Sequence, residues 1–247
     1  MKTADKIKKQ KLKILVPTDF SGHGLNAGAF AIELLKNAPS EIILENVFQV
    51  PKENTGTLIS ISDIIKTESQ ERLNKECAEL KSKSKKILIT TKSEEGQPVN
   101  TVKQALKRNN ADLLVIGHNT KIDKFSASFI GQPEFWPALL VPGMSFLKMP
   151  KEAIVISTTA NNEVNTPYAL KEISKRFKDK MHAIYFTKNS TVEHLKASTD
   201  ALLKQGNIGM IIFVTCKGDW LEQAIKEHQL DSIFFSHPSL LISNNGR

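Results

Sequence analysis

The sequence is poor in cysteine, arginine and aromatic residues, and it has no long apolar run. Its two cysteines, Cys77 and Cys216, lie far apart and form no C-x-x-C pair, so we expect buried thiols and neither a disulfide framework nor a zinc site. No apolar segment approaches the ~20 residues of a membrane-spanning helix, and the lysine-rich N-terminal segment lacks the apolar stretch of a signal peptide. We therefore expect a cytoplasmic protein with no membrane partner.

The chain carries an excess of positive charge, because 34 lysines and arginines outnumber 26 acids and give a formal net charge of +8. Surfaces that bind single-stranded nucleic acid combine a basic groove with aromatic side chains on which the bases stack. Here aromatic residues make up 6% of the chain, and arginine occurs only at Arg72, Arg108, Arg176 and Arg247. We interpret the excess as lysine-rich solvated faces and a basic tail, and expect no nucleic-acid partner.

Short β-branched runs alternate with segments in which apolar residues recur every three or four positions. This alternation is typical of a parallel sheet covered by helices, so the predicted fold class is α/β. The helix face shared by Leu73, Cys77 and Leu80 places Cys77 in the core. Nine strands are predicted: Lys13–Pro17, Glu41–Phe48, Lys86–Thr91, Asp112–Gly117, Ala138–Pro142, Ala153–Thr158, Ala183–Thr187, Met210–Thr215 and Ser232–Phe235.

Parts of this pattern occur twice. The segment 13–19 returns as 153–159, and the segment 103–115 returns in 222–234. Repetition of this kind predicts two α/β units in tandem. We place their boundaries at 1–143 and 151–247, with a linker between them that begins with Pro-Gly. The second unit is the shorter one.

Polar residues and glycines follow the first and fourth predicted strands, and parallel sheets bind ligands at the carboxyl ends of their strands. The first such segment, 17–24, reads Pro-Thr-Asp-Phe-Ser-Gly-His-Gly. Its Asp19 can accept hydrogen bonds from a ribose or an adenine edge; alternatively, Asp19 or Ser21 only caps the following helix. The second segment begins at Gly117, where a glycine lets the backbone approach a phosphate. Neither G-x-S-x-G nor G-x-x-x-x-G-K-[ST] occurs, and we expect no enzymatic activity.

Five segments in order carry a family resemblance. They are Lys-Ile-Leu-Val-Pro-Thr-Asp-Phe-Ser at 13–21, the strand end at 44–47, the helix start at 96–102, Ala-Asp-Leu-Leu-Val-Ile-Gly at 111–117, and Pro-Ala-Leu-Leu-Val-Pro at 137–142. Together they resemble a universal stress protein domain over residues 11–143 and, more weakly, a second copy over 151–237. The whole chain is thus similar to a tandem universal stress protein.

The resemblance implies two three-layer units of the adenine nucleotide alpha hydrolase-like type, with parallel sheets and strand order 3-2-1-4-5 in the first. It also implies AMP or ATP as the ligand. In nucleotide-binding members, an aspartate matching Asp19 and a backbone matching Val47 hold adenosine, and the pattern G-x2-G-x9-G-[ST] holds the phosphates. The residues implied for the site here are Pro17, Thr18, Asp19, Val47, Gly117, His118, Gly131 and Gln132.

The chain departs from the family pattern where the phosphates would bind. Gly117 matches the first glycine, but Thr120 replaces the second and Gln132 stands where a serine or threonine belongs. Gly131 matches the third only with one inserted residue, and the short interval to Pro137 displaces the last helix into 121–130. We expect the ribose end of the site to be intact and its phosphate end to be degraded, so that triphosphate binding suffers more than adenosine binding. In the second unit Thr159 replaces the aspartate.

Two functions remain open: a binding or regulatory module that senses an adenine nucleotide weakly through the first unit, and a nucleotide-free scaffold for an unknown protein partner. No metal site is expected, because the histidines of the second unit lack paired spacing. The closing strand Ala138–Pro142 leaves an apolar edge that invites pairing. We expect either the C-terminal segment or the same strand of a second molecule to cover it, and we favour the homodimer.

Overall fold

The computed structural model describes residues 11–50, 61–84, 87–119, 124–130, 137–143, 149–157, 168–177, 180–185, 190–204, 208–215, 220–227 and 239–243. Strands and helices alternate through most of this part of the chain. The strands are β1 (Leu12–Pro17), β2 (Ser40–Phe48), β3 (Leu88–Glu95), β4 (Leu113–His118), β5 (Ala138–Pro142), β6 (Glu152–Ser157), β7 (Met181–Tyr185), β8 (Ile208–Thr215) and β9 (Ser239–Ser243). The helices are α1 (Gly22–Leu34), α2 (Ile61–Lys83), α3 (Pro98–Asn109), α4 (Lys124–Ile130), α5 (Tyr168–Phe177), α6 (Val192–Leu203) and α7 (Trp220–Lys226).

Within the described residues, one continuous sheet has nine strands in the order β3-β2-β1-β4-β5-β9-β8-β6-β7. Its first five strands are all parallel and have the predicted order 3-2-1-4-5. The α/β class is therefore confirmed. The carboxyl ends of β1, β2 and β4 lie side by side at one edge of the sheet, where ligands of such folds bind.

Helices cover both faces of the sheet and make three layers. Apolar side chains of α1, α2 and α5 pack on one face, and those of α3, α4, α6 and α7 pack on the other. Cys77 of α2 is buried in the first layer, as predicted. Helix α3 has typical start and stop residues. Pro98 occupies its first turn, and Asn110 ends it in the left-handed conformation. Among the described helices, none is both long and apolar enough to cross a membrane.

The C-terminal strand β9 covers the edge of β5 that the sequence analysis predicted to need a partner. It runs antiparallel to β5, with Leu139 opposite Leu240, and parallel to β8, with Ile212 beside Leu240. The first alternative for this edge is therefore correct, and the favoured one, a homodimer paired through β5, is wrong. The second molecule is not needed because the same chain supplies the strand.

The second half has its own strand order. Strand β8 lies directly beside β6, and β9 follows it as a parallel neighbour. The 23 residues between the end of β8 and the start of β9 are enough for the crossover that parallel neighbours need. The predicted strand Ser232–Phe235 lies outside the described residues.

Candidate functional site

A cavity of about 450 Å³ opens at the carboxyl ends of β1, β2 and β4, within the usual size range of small-molecule sites. Six of the eight implied site residues line it: Pro17, Thr18, Asp19, Val47, Gly117 and His118. The other two, Gly131 and Gln132, lie outside the described residues. Residues separated by up to 101 positions thus meet at one place, because the parallel strands end at the same edge of the sheet.

The segment after β1 is held by its own hydrogen bonds. The Phe20 amide donates to Thr18 Oγ1 at 3.0 Å, and the Ser21 amide donates to Asp19 Oδ1 at 2.9 Å. The Asn46 side-chain amide fixes the segment to β2 by donating to the Thr18 carbonyl at 2.7 Å. Asp19 therefore shapes the turn before α1 and also faces the cavity, so the two alternatives considered for it are compatible. Ser21, in contrast, makes no side-chain capping bond.

Phe20 adopts a left-handed backbone conformation, with φ of 65°. A bulky residue rarely adopts this region, so the surrounding contacts must fix it there. The Arg72 guanidinium of α2 lies 4.1 Å from the centre of the Phe20 ring, a cation–π contact. The turn that carries Asp19 is thus clamped from the α2 side.

Gly117 is required by the packing of α1 on β4. A Cβ atom built on Gly117 would overlap the His23 carbonyl and would come within 3.1 Å of the Gly24 amide nitrogen. The missing side chain lets the first turn of α1 approach the end of β4. We interpreted this glycine as a phosphate contact, and the structure adds a packing reason for it.

Glu45 is the site residue that the sequence reasoning missed. It lies in β2, lines the cavity and is 0% exposed. The signal was present, since a carboxylate interrupts the apolar run at 42–47, and buried carboxylates are rare unless paired. Other wall residues lie outside the implied set: His23, Pro98, Val102, Asn119 and Phe125.

Charged neighbours surround Glu45 on one side. Burial, followed by the negative charge of Glu94 on β3, raises the pKa of Glu45 from 4.5 to about 7, against the opposing effects of Arg108 and Lys92. Burial also acts to raise the pKa of Glu94, but bonds from Lys92 and Arg108 outweigh it and hold that pKa below the usual value. Glu45 is therefore the carboxyl of this cluster that exists partly in the neutral form near neutral pH.

Glu45→Gln is expected to stabilise the protein increasingly as the pH rises. The pKa of Glu45 is higher in the folded protein than in the unfolded chain. Its contribution to the free energy of unfolding is therefore fully present below pH ~4.5 and is lost as the pH rises through 7. A shift from 4.5 to about 7 corresponds to about 3 kcal/mol. Thermal unfolding should show that the unfolding temperature of the variant, relative to that of the wild type, is higher at pH 8 than at pH 5. A matched variant is Glu41→Gln, on the same strand but only partly buried; a pH-dependent gain there of equal size would contradict this explanation.

The histidines of the described residues do not form a metal site. No group of three or more His, Cys, Asp or Glu side chains within the described ranges is arranged to hold a metal ion. His182 instead pairs with Glu152 across two strands, with 2.9 Å between Nε2 and Oε2. His23 and His118 line the cavity, and His118 Nδ1 lies 2.8 Å from the Asn119 carbonyl.

Comparison with known proteins agrees with this architecture. Residues 12–128 match the model of the universal stress protein family. A universal stress protein of Methanocaldococcus jannaschii is 32% identical over 115 residues, which are 44% of this chain and 65% of that protein. The match thus spans slightly less than two thirds of that relative.

One solved structure extends the comparison to the fold, and a second is reported for its bound nucleotide. A universal stress protein from Archaeoglobus fulgidus superposes with a TM-score of 0.67 at 13% identity, covering 96% of this chain and all of that chain. A universal stress protein family member from Arabidopsis thaliana, solved with AMP bound, has a TM-score of 0.39 at 18% identity and covers 53% of this chain and 90% of that chain. Over residues 12–128, the chain is thus similar to the universal stress protein family.

Proposed function

We propose that the cavity at the ends of β1, β2 and β4 binds an adenine nucleotide, AMP or ATP, and that the protein is a non-enzymatic binding or regulatory module. The observation that carries this proposal is that six implied residues, from three separate strands, line one cavity of about 450 Å³. Its walls combine apolar residues with nearly as many polar ones, and such polar groups can fix the orientation of a small molecule.

The roles follow from the positions. Asp19 presents a carboxylate at the cavity while its Oδ1 accepts from the Ser21 amide, so its orientation is fixed before a ribose arrives. Val47 lies near the end of β2 and contributes an apolar wall beside its backbone groups. The first turn of α1 packs closely against Gly117, so part of the space beside this glycine is filled by the protein itself and is closed to a ligand. We therefore propose micromolar rather than tight binding.

The second half supports the first without contacting the ligand. It supplies β9, which covers β5, and β5 pairs with β4, whose end forms part of the cavity. We propose that the halves 1–143 and 151–247 are the two units of a tandem protein. Thr159, which stands where the first unit has Asp19, lies outside the described residues. A cytoplasmic location and an unknown protein partner stay predictions.

Asp19→Ala is expected to weaken AMP binding by at least tenfold, because it removes the carboxylate that accepts the ribose hydroxyls; hydrogen bonds to a charged group contribute about 1.5–3 kcal/mol. The measurement is titration calorimetry of the full chain with AMP. Asp19→Asn is the matched control, since an amide oxygen can keep the bond from the Ser21 amide while the charge is lost. We expect an intermediate affinity for it. Unchanged affinity in Asp19→Ala would contradict the site assignment.

A further inference from the structure

A second cavity lies where the end of α5 meets the segment after α1. Its volume is about 540 Å³, within the usual size range of small-molecule sites. The described residues that line it, here called the basic cavity, are Asn37, Pro150, Lys151, Lys175, Arg176, Phe177 and Lys180. None of them lines the cavity at the ends of β1, β2 and β4, so the two cavities are separate.

Two lysines of the basic cavity stand directly before parallel strands. Lys151 precedes β6 and Lys180 precedes β7, and these strands pair with Ala153 beside Met181. The two lysines therefore come together, because parallel neighbours in this register begin side by side. Parallel sheets bind their usual ligands at the carboxyl ends of the strands. The basic cavity is thus not the position that a nucleotide would take in the second half.

The backbone around the basic cavity is held in place. The Lys180 amide donates to the Phe177 carbonyl at 2.8 Å, and the Lys180 carbonyl accepts from the Ala153 amide at 3.1 Å. Pro150 packs against β8, where a Cβ atom built on Gly209 would lie 3.0 Å from the Pro150 Cα. A site on fixed backbone loses less entropy when a ligand binds than a site on a loose loop.

Arg176 connects the two halves of the chain at the basic cavity. It lies in the last turn of α5, and its Nη1 donates to the carbonyl oxygen of Glu33 in α1 at 3.1 Å. Asn37, which follows α1, lines the same cavity. A ligand in the basic cavity would therefore contact both halves.

The lining of this cavity is strongly cationic, and none of its described residues is acidic. Its cations are Lys151, Lys175, Arg176 and Lys180. Lys175 forms an ion pair with Glu172 of its own helix. Within the described part of the chain, Lys151 and Lys180 form no ion pair, and both side chains are exposed.

The end of a helix explains only part of this charge. Lys175 and Arg176 lie in the last turn of α5, where cations offset the partial negative charge of the helix carbonyls. Lys151 and Lys180 belong to no helix. Like charges that the fold brings together repel each other, and an anion placed between them would reverse the sign of that interaction.

We propose that the basic cavity binds a small anion with several phosphate groups, held by the ammonium groups of Lys151 and Lys180, with added positive charge from α5. Ammonium groups bind phosphate oxygens through charge-assisted hydrogen bonds. Phe177 is 1% exposed and offers no ring for a base to stack on, so the phosphate groups alone provide the recognition. This inference goes beyond the proposed function and does not depend on it.

Inorganic tripolyphosphate is the probe, because it carries several phosphate groups and no base. Titration calorimetry of the full chain at fixed ionic strength should show one site, with binding at least about tenfold tighter than that of orthophosphate, which carries less charge. Tripolyphosphate should also raise the unfolding temperature, because a ligand that binds only the folded chain stabilises it. Equal affinities for the two anions would contradict the proposal.

The decisive variant combines Lys151→Gln with Lys180→Gln. It should weaken tripolyphosphate binding about tenfold, because two ammonium groups are lost from the site. Its unfolding temperature without ligand should stay close to that of the wild type, since both side chains are exposed. The matched control combines Lys66→Gln with Lys75→Gln, which removes the same charge from exposed lysines of α2. We expect less than about a twofold change in binding for it.

Three outcomes would overturn the inference. Equal weakening in the variant and the control would show attraction to the net charge of +8 and no site. Unchanged binding in the Lys151 and Lys180 variant would place the anion elsewhere. Displacement of tripolyphosphate by AMP, or its loss in Asp19→Ala, would place it in the other cavity. The proposed function fails separately, if AMP does not bind or if Asp19→Ala binds it normally while tripolyphosphate binding follows the lysines.

Discussion

Gly117→Ala is expected to lower the free energy of unfolding by about 3 kcal/mol, the upper end of what overpacking costs. The added methyl group would overlap the His23 carbonyl and crowd the Gly24 amide, and both are backbone groups that cannot turn away as a flexible side chain can. Helix α1 would have to move away from β4, and the cavity between them would change shape. Chemical denaturation of the full chain measures the loss, and AMP titration measures the accompanying loss of binding.

The matched control for this effect is Gly22→Ala. Gly22 is the first residue of α1, and a Cβ added there meets nothing within 4 Å. Alanine is the better helix former, so we expect a change of less than about 1 kcal/mol, in the stabilising direction. If the two substitutions cost the same, the close approach of α1 to β4 is not the reason for a glycine at 117.

Leu241→Asp is expected to destabilise both halves of the molecule, by more than about 4 kcal/mol. Leu241 is 0% exposed in β9, which joins β5 to β8 in the middle of the sheet. An unpaired carboxylate there would be expelled, and β5 would regain the open apolar edge that invites association. Hydrogen exchange should quicken at the amides of 138–141, and light scattering should detect larger species.

Leu88→Asp is the comparison for that variant. Leu88 is also a strand leucine, but it lies on the edge strand β3 and is 48% exposed. We expect it to cost less than about 1 kcal/mol, within the usual range for surface positions. Similar losses in the two variants, or unchanged exchange in β5, would contradict the role assigned to β9.

The first half of the fold could be predicted from the sequence because each strand there is a short β-branched run between clear helical periods. Strand β3 was the least accurate of the five. Its predicted range ended at Thr91, whereas the strand runs to Glu95, because its polar residues Lys92 and Glu94 lie on a partly exposed edge strand. Edge strands carry a weaker apolar pattern than central ones.

The role of β9 could not be read from the sequence in the same way. The apolar run at 240–242 was visible, but a strand's neighbours depend on contacts far away in the chain. The pairing of Leu240 with Leu139 spans 101 residues and has no local signature. Burial of the run by its own chain and burial by a second molecule satisfy the same local pattern, so only the three-dimensional arrangement distinguishes them.

The candidate site shows the same division. Asp19 and Gly117 were found because they follow predicted strands, and Val47 was found through the family pattern. Glu45 carries no such pattern, and its importance comes from the surroundings that Glu94 and Arg108 create around it. A single buried carboxylate in an apolar strand is the signal that would have identified it.

The most direct test of the central claim is a crystal structure of the full chain grown with a saturating concentration of AMP. We expect density for one nucleotide per chain, with its ribose at Asp19 and its base beside Val47. Density at another place, or an empty cavity under these conditions, would contradict it.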